Sequence, residues 1–130
     1  MIVVDASVLA TALGDDGAEG ERARVRLTAE QLVAPELIDL EVASVWRGAL
    51  RGRHMTDDRA HQALADLSAL PLTRAPHAPL IRRIWELRDN VSVYDAAYVA
   101  LAEALDVPVL TADRKLTQAT AARCDFELLR

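Results

Sequence analysis

Short apolar runs of strand length recur along the chain, separated by stretches with helical spacing. The first run, Ile2 to Val4, is apolar at every position, which indicates a strand buried on both faces. The run around Pro71, Leu70 to Leu72, is either a connector or an edge strand, because proline cannot donate to a sheet ladder. The pattern predicts three further strands, at Leu32–Ala34, Val107–Leu110 and Phe126–Leu129.

Helical periodicity fills most of the chain between these runs. Thr56 and Ser92 are good N-caps, and Ser92 is predicted to open a helix from Val93 to Leu105. Pro35 is predicted at the first position of a helix that ends near Gly52, because its missing N–H does no harm there. The remaining predictions are a helical turn at Ser7–Ala12 and helices at Ala18–Ala29, after Thr56, at Ala78–Arg88 and at Lys115–Ala122.

Strands that alternate with helices predict parallel βαβ units, and so an α/β fold with a parallel sheet flanked by helices. The 130 residues are within the usual range for one domain, which we place at residues 1–130. Apolar residues make up 52% of the chain, enough for a substantial core. In an open parallel sheet, ligands bind beyond the carboxyl ends of the strands. Polar residues at those ends are therefore the candidates for chemistry.

Four acids stand where a carboxylate is unfavourable unless something compensates its charge. Asp5 follows the first strand, Asp113 follows the strand that ends at Leu110, Asp95 opens a helix, and Glu41 lies inside a mostly apolar helix. Asp5 and Asp113 share one edge of the sheet if their strands are parallel neighbours. A crossover helix runs antiparallel to its strand, and we expect its start, with Asp95, at the opposite edge unless the chain folds back. The residue pattern alone therefore leaves the convergence of Asp95 open.

A divalent cation compensates several carboxylates at once. Mg²⁺ prefers oxygen ligands, and in a protein it polarises a phosphoryl oxygen, orients a water and lowers the pKa of that water. The acids therefore predict a metal-dependent phosphodiester hydrolase. The sequence contains no Gly-rich phosphate loop and no pair of histidines at ligand spacing that would indicate a different chemistry.

Each acid also has a structural alternative. Asp5 could simply cap the turn that follows it, and Asp113 could be an ordinary turn residue. Asp95 could be a first-turn acid favoured by the helix dipole. Glu41 shares a helical face with apolar Leu37, and a salt bridge to an arginine would satisfy it there. The four alternatives together are less plausible than any one of them alone.

Two hydroxyl residues lie two positions from a candidate acid. Ser7 follows Asp5, and Thr111 precedes Asp113. They are either local turn formers or donors that orient a carboxylate.

The net charge of −5 gives no overall basic footprint for nucleic acid, although acids that hold a metal would inflate that total. An RNA substrate would need a local basic patch, and Arg47, Arg51 and Arg53 are candidates, with a solvated helix end as the alternative. The single cysteine, Cys124, cannot form an internal disulfide, which fits a reducing cytosol. No apolar stretch approaches the roughly 18 residues that span a membrane, and no secretory signal is recognisable. We therefore expect a cytoplasmic protein that makes no membrane contact.

Four segments together resemble the PIN-domain ribonucleases and, more narrowly, the VapC toxins of bacterial toxin–antitoxin pairs. The resemblance spans the whole chain, in the right order and at the right length. The third and fourth segments are the most specific. The segments are Ile-Val-Val-Asp5-Ala-Ser7, Pro35-Glu-Leu-Ile-Asp-Leu-Glu41-Val-Ala, Tyr94-Asp95-Ala-Ala-Tyr-Val-Ala-Leu-Ala102 and Leu110-Thr-Ala-Asp113-Arg-Lys-Leu116.

The resemblance implies a PIN-like nuclease domain and a Mg²⁺-dependent endoribonuclease, with Mn²⁺ as a substitute, that hydrolyses RNA phosphodiester bonds by metal-activated water. It implies tRNA or rRNA as substrate, a homodimer, and a VapB-like antitoxin as partner. Leu116 stands where some members carry a further Asp or Asn, which leaves the number of metal ions open. The catalytic and metal-binding residues implied are Asp5, Glu41, Asp95 and Asp113, supported by the hydroxyls of Ser7 and Thr111.

Three alternatives compete with this interpretation. The first is a non-catalytic PIN-like module that binds RNA or protein. The second is a phosphatase of the haloacid-dehalogenase type, which would need an aspartate where this chain has Ser7. The third is a DNA nuclease of related fold.

Overall fold

The computed structural model describes all 130 residues, in which five strands and six α-helices alternate. The strands are β1 Ile2–Val4, β2 Leu32–Pro35, β3 Leu72–Ala75, β4 Val109–Thr111 and β5 Phe126–Leu128. The helices are α1 Ala6–Gly14, α2 Ala18–Leu27, α3 Ile38–Arg51, α4 Asp57–Ala69, α5 Ile81–Glu86 and α6 Val93–Leu105. Single 3₁₀ turns lie at Ala78–Leu80 and Leu116–Gln118. None of the helices combines the length and the apolar character needed to cross a bilayer.

All neighbouring strands pair in parallel, in the order β3-β2-β1-β4-β5. The central strand is β1, whose Val3 lies opposite Val33 of β2 and Val109 of β4. The predicted α/β fold, a parallel sheet flanked by helices, is confirmed. Because β1 and β4 are neighbours, Asp5 and Asp113 follow strands that end at the same edge of the sheet.

The core lies between the sheet and the two apolar helices α1 and α6. β1 is at most 1% exposed along its length, and α6 is buried from Ala96 to Ala102. Trp46 of α3 anchors that helix to α1 by donating from Nε1 to the carbonyl oxygen of Ala10 over 3.2 Å. The indole leaves no room for a side chain at position 14, which is glycine, since a Cβ there would lie 2.5 Å from Trp46 Nε1. Close packing therefore holds rigid the helices that begin at the carboxyl edge of the sheet.

The prediction that Pro35 begins a helix is wrong. Pro35 is the last residue of β2, where it pairs with Ala75, and α3 begins only at Ile38. The register of β1 and β2 places Pro35 beside the point where β1 has already ended. Its missing N–H therefore leaves no ladder bond unmade, which is why a proline is tolerated in this inner strand.

Several other boundaries differ from prediction. The predicted turn at Ser7–Ala12 is the two-turn helix α1, and the apolar run at Leu70–Leu72 leads into the edge strand β3. The predicted helix at Ala78–Arg88 divides into a 3₁₀ turn and the short α5. The predicted helix at Lys115–Ala122 is one 3₁₀ turn, where the Thr117 hydroxyl bonds the backbone. Such side-chain bonds compete with helix formation.

Candidate active site

Asp5 is fixed by three hydrogen bonds at the end of the central strand. It is 7% exposed. Its Oδ1 accepts from the backbone N–H of Ala6 at 2.8 Å, and its Oδ2 accepts from Ser7 Oγ at 2.9 Å and Thr111 Oγ1 at 2.7 Å. Its own N–H donates to the carbonyl oxygen of Leu110. Asp5 therefore caps α1, as its structural alternative requires, and also presents a carboxylate held in one orientation.

Both hydroxyl residues connect Asp5 to the loop that follows β4. Thr111 is fully buried, and its Oγ1 accepts from the N–H of Asp113 at 3.0 Å while it donates to Asp5. Ser7 Oγ accepts from the N–H of Ala112 at 3.0 Å while it donates to Asp5. Each hydroxyl thus orients the Asp5 carboxylate and also accepts a backbone hydrogen bond from the loop that follows β4. This geometry is that of donors behind a site residue, rather than of local turn formers alone.

Glu41 reaches the same region from the first turns of α3 and is half-buried. Its Oε1 accepts a 2.5 Å hydrogen bond from the hydroxyl of Tyr98 in α6, where an arginine was the expected alternative. Burial raises the pKa of Glu41, and the charges of Asp5 and Asp95 raise it further, while the Tyr98 bond opposes the shift. Glu41 is therefore close enough to two other carboxylates to be repelled by both.

Asp95 lies in the first turn of α6, where its N–H donates to the Ser92 cap at 3.1 Å. Burial raises the pKa of Asp95, Asp5 and Asp113 raise it further, and the Ser92 contact opposes them. The expectation that α6 begins at the opposite edge is wrong. A helix that runs antiparallel to a following parallel strand begins where the strands end, and this places Asp95 beside Asp5.

Asp113 is exposed in the turn after β4. Its Oδ1 accepts from the N–H of Lys115 at 2.9 Å, so the turn alternative describes its local structure. Its charge nonetheless reaches Asp95, whose pKa it raises. Leu116, the position where some PIN domains carry a further polar residue, is 2% exposed and belongs to the core.

The four acids converge on one edge of the sheet with no cationic side chain paired to any of them. No three of the acidic, histidine or cysteine side chains form a ready metal-binding group. The donor chemistry still fits Mg²⁺, which accepts carboxylate oxygens, commonly binds through one or two of them and keeps several waters. The arrangement is thus an open acidic site rather than a closed coordination cage.

Tyr98 is the site residue that the sequence did not identify. It is fully buried, three residues after Asp95 in α6, and it links that helix to Glu41. The available signal was a phenol inside a helix whose other inward residues are apolar, because a buried tyrosine hydroxyl usually needs a partner. Burial and the bond to Glu41 raise the pKa of Tyr98, which keeps it a neutral donor.

Two of the three arginines expected to form a basic patch lie at the opposite end of α3 from Glu41. Arg51 ends α3 and Arg53 follows it. At a rise of about 1.5 Å per residue, Arg51 lies about 15 Å along the axis from Glu41. Arg47, Arg51 and Arg53 are exposed and form no ion pair, so the basic patch and the solvated helix end both stay predictions.

Comparison with known proteins agrees with this architecture. The PIN domain family profile matches residues 2–122. Ribonuclease VapC9 of Mycobacterium tuberculosis is 44% identical over 129 residues, covering 99% of this chain and 98% of that protein. Two solved structures share the fold at 18% identity. Mycobacterium tuberculosis VapC20, described as a sarcin–ricin loop cleaving toxin, has a TM-score of 0.68 with 92% and 95% of the two chains covered. A toxin–antitoxin complex from Klebsiella pneumoniae has a TM-score of 0.67 with 100% and 98% covered. The chain belongs to the PIN-domain family, within its VapC group.

Proposed function

We propose that this chain is a Mg²⁺-dependent endoribonuclease, the toxin of a VapBC-type pair, that hydrolyses phosphodiester bonds in tRNA or rRNA. Asp5, Glu41, Asp95 and Asp113 are the proposed catalytic and metal-binding residues. The observation that carries the proposal is the cluster of carboxylates from four different segments, in which burial and the neighbouring carboxylates raise the pKa of Glu41 and Asp95 and no cationic side chain is paired to any of the four. Like charges gathered at this cost indicate a site for a cation.

The four carboxylates share the task of holding the cation in the proposed reaction. A bound Mg²⁺ or Mn²⁺ would polarise the phosphoryl oxygen and lower the pKa of the attacking water. Asp5 contributes a carboxylate fixed by Ser7 and Thr111, which costs no reorganisation during the reaction. Glu41, Asp95 and Asp113 would complete the oxygen ligands of the cation, whose charge would relieve the repulsion that contributes to the raised pKa of Glu41 and of Asp95.

The partners proposed are a VapB-like antitoxin and a second copy of this chain, in the cytoplasm. The antitoxin is supported by the 44% identity to a VapC ribonuclease. The homodimer is supported by large apolar side chains on the surface of α5 and α6, where Ile81, Trp85 and Tyr94 are 55%, 61% and 66% exposed. Exposed apolar side chains that share a region commonly mark protein interfaces.

One observation favours the alternative of a non-catalytic module that binds RNA or protein. No three potential ligands form a ready metal-binding group. A module that only binds RNA would need no such group, so the two functions differ in whether cleavage occurs and whether it requires metal.

Cleavage of total bacterial RNA by the purified chain tests the proposal. The reactions contain Mg²⁺ or Mn²⁺, or a chelator, and compare the wild type with Asp95→Asn and the control Asp106→Asn. Asp106 is exposed at the other end of α6, in a left-handed conformation that asparagine also adopts. We expect discrete fragments from the wild type and the control, and none with chelator or Asp95→Asn. RNA binding without cleavage in every reaction would contradict the proposal and support the binding module.

A further inference from the structure

Five of the fourteen arginines are already engaged within the chain. Each engaged side chain pairs with a carboxylate. They are Arg24 with Glu21, Arg26 with Glu30 and Glu127, Arg59 with Asp16, Arg74 with Asp39, and Arg83 with Glu103. Arg22 of α2 and Arg130 after β5 are exposed, and neither forms an ion pair or a hydrogen bond within the chain. Their charges are therefore free to meet a ligand.

Arg22 and Arg130 line the same cleft, of about 360 Å³, at the carboxyl edge of the sheet. The cleft also contains Glu19, which is its one acidic side chain, and apolar Leu129. The full lining is Thr11, Glu19, Arg22, Ala112, Leu129 and Arg130.

Two residues of this cleft contact Ser7, which donates a hydrogen bond to Asp5. The N–H of Ala112 donates to Ser7 Oγ at 3.0 Å, and the Thr11 hydroxyl donates to the Ser7 carbonyl oxygen at 2.9 Å. Ser7 in turn donates to Asp5 at 2.9 Å. The cleft therefore opens beside Asp5, separated from it by one residue.

An RNA strand that reaches this acidic edge needs cations next to it. The chain carries a net charge of −5, and the four site acids repel every phosphate that lies outside the reach of a bound cation. Contacts to phosphates fix the register of a nucleic acid without reading its sequence. A pair of unengaged arginines beside the site has the chemistry for this task, since guanidinium groups bind phosphate oxygens in a bidentate manner.

We propose that Arg22 and Arg130 bind the backbone phosphate next to the one that is cleaved, and so position single-stranded RNA across the acidic edge. This inference rests on the proposed ribonuclease function. Both arginines are positioning residues, because they lie in the cleft and not among the four acids.

The salt dependence of RNA binding tests the proposal. The probe is a fluorescein-labelled single-stranded RNA of mixed sequence, bound to the Asp95→Asn protein so that it stays intact, with affinity measured by anisotropy from 50 to 200 mM KCl. The slope of log K against log salt is negative, and each lost phosphate contact reduces its magnitude by about 0.7 for a single strand. Because both arginines bind one phosphate, we expect the double variant Arg22→Gln/Arg130→Gln to reduce it by about 0.7, and each single variant by part of that amount.

The controls separate this site from general electrostatics and from the proposed function. Arg51→Gln and Arg53→Gln remove the same charge at the far end of α3 and are expected to leave the salt slope unchanged. Arg22→Lys keeps the charge and is expected to preserve most of the wild-type slope. Equal slopes for the Arg22 and Arg51 variants would overturn the subsite, while RNA cleavage by wild-type protein would leave the ribonuclease proposal standing. Wild-type protein that neither binds nor cleaves RNA would overturn both. If the Arg22→Gln and Arg130→Gln variants kept the salt slope of the wild type for RNA but lost binding of an acidic peptide, the RNA assignment would be overturned in favour of a protein ligand.

Discussion

Asp5 and the pair Glu41 and Asp95 are carboxylates of one site with opposite relations to the fold. Asp5 accepts three hydrogen bonds, caps α1 and is almost fully buried. Glu41 and Asp95 are half-buried, and each has a pKa raised by burial and by neighbouring carboxylates. Asp5 completes a hydrogen-bond network of the fold, whereas the charged forms of Glu41 and Asp95 are disfavoured in it.

This contrast separates stability from function within one acidic cluster. A residue whose carboxylate completes a hydrogen-bond network stabilises the folded chain, and its loss leaves buried donors without partners. A residue whose charged form is disfavoured in the fold destabilises it, and such residues are retained at functional sites. Asp5 is therefore expected to serve both purposes and Asp95 only function, whereas Glu41 also accepts the hydrogen bond of the buried Tyr98 hydroxyl.

Replacing single acids gives the largest predicted effects. Asp95→Asn is expected to reduce RNA cleavage roughly 100- to 1,000-fold, as when one group that stabilises transition-state charge is removed. Its stability to urea is expected to equal or exceed that of the wild type. Asp5→Asn is expected to lose as much activity and also about 1–3 kcal/mol of stability, because the amide nitrogen cannot accept from Ser7 and Thr111. Equal stability of the two variants would remove the distinction between these acids.

The hydroxyl of Thr111 tests whether the donors that hold the Asp5 carboxylate in place matter for activity. Thr111→Val keeps the shape of the side chain but removes the donor to Asp5 and the acceptor for Asp113. We expect activity to fall roughly 10- to 100-fold, as for other residues that orient ligands. Ser7→Ala is the companion variant, since it leaves the buried Thr111 bond intact. Full activity of Thr111→Val at saturating Mg²⁺ would show that Asp5 needs no such support.

Tyr98 allows a smaller test on the Glu41 side of the site. Tyr98→Phe removes the hydroxyl that donates to Glu41, and that hydrogen bond lowers the pKa of Glu41. Without it the pKa rises further, so the acidic limb of the pH–activity profile is expected to move to higher pH. The loss at the pH optimum is expected to be about tenfold, the low end for residues that orient a site carboxylate. An acidic limb that stays in place would show that Glu41 does not titrate in the reaction.

The smallest predicted effect is on the pH dependence of stability without divalent metal. Because the folded pKa values of Glu41 and Asp95 lie above their ordinary values of 4.5 and 3.8, the folded state holds protons that the unfolded chain has lost. Their contribution to stability therefore falls as pH rises from the ordinary values through the raised ones. Urea titrations across this pH range should show that the free energy of unfolding falls less steeply with pH in the double variant Glu41→Gln/Asp95→Asn than in the wild type. Parallel curves would show that repulsion within the cluster is negligible.

Local patterns were sufficient to predict the parallel α/β fold. Apolar runs such as Ile2–Val4 indicate buried strands, and Ser92 does cap α6 as predicted. The misplacement of Pro35 had a physical cause that local patterns do not contain. Proline is acceptable there only because β1 ends beside it, and that depends on sheet register.

The site was less predictable than the fold. Strand ends were enough to place Asp5 and Asp113 at one edge, but Asp95 was assigned to that edge only through the family resemblance. Its direction followed from topology alone, since a helix antiparallel to a parallel strand must begin at the carboxyl edge. The bond between Tyr98 and Glu41 joins residues 57 positions apart, so no local pattern could reveal it.

Stabilisation by Mn²⁺ tests most directly whether these repelling carboxylates form a cation site. Thermal unfolding of the wild type and of Glu41→Gln/Asp95→Asn would be measured with chelator and with rising Mn²⁺. Binding to the folded state alone raises stability with cation concentration. A midpoint that rises with Mn²⁺ in the wild type and stays constant in the double variant is the predicted result. Equal shifts in both proteins, or none in the wild type, would contradict the assignment of Glu41 and Asp95 to a metal site.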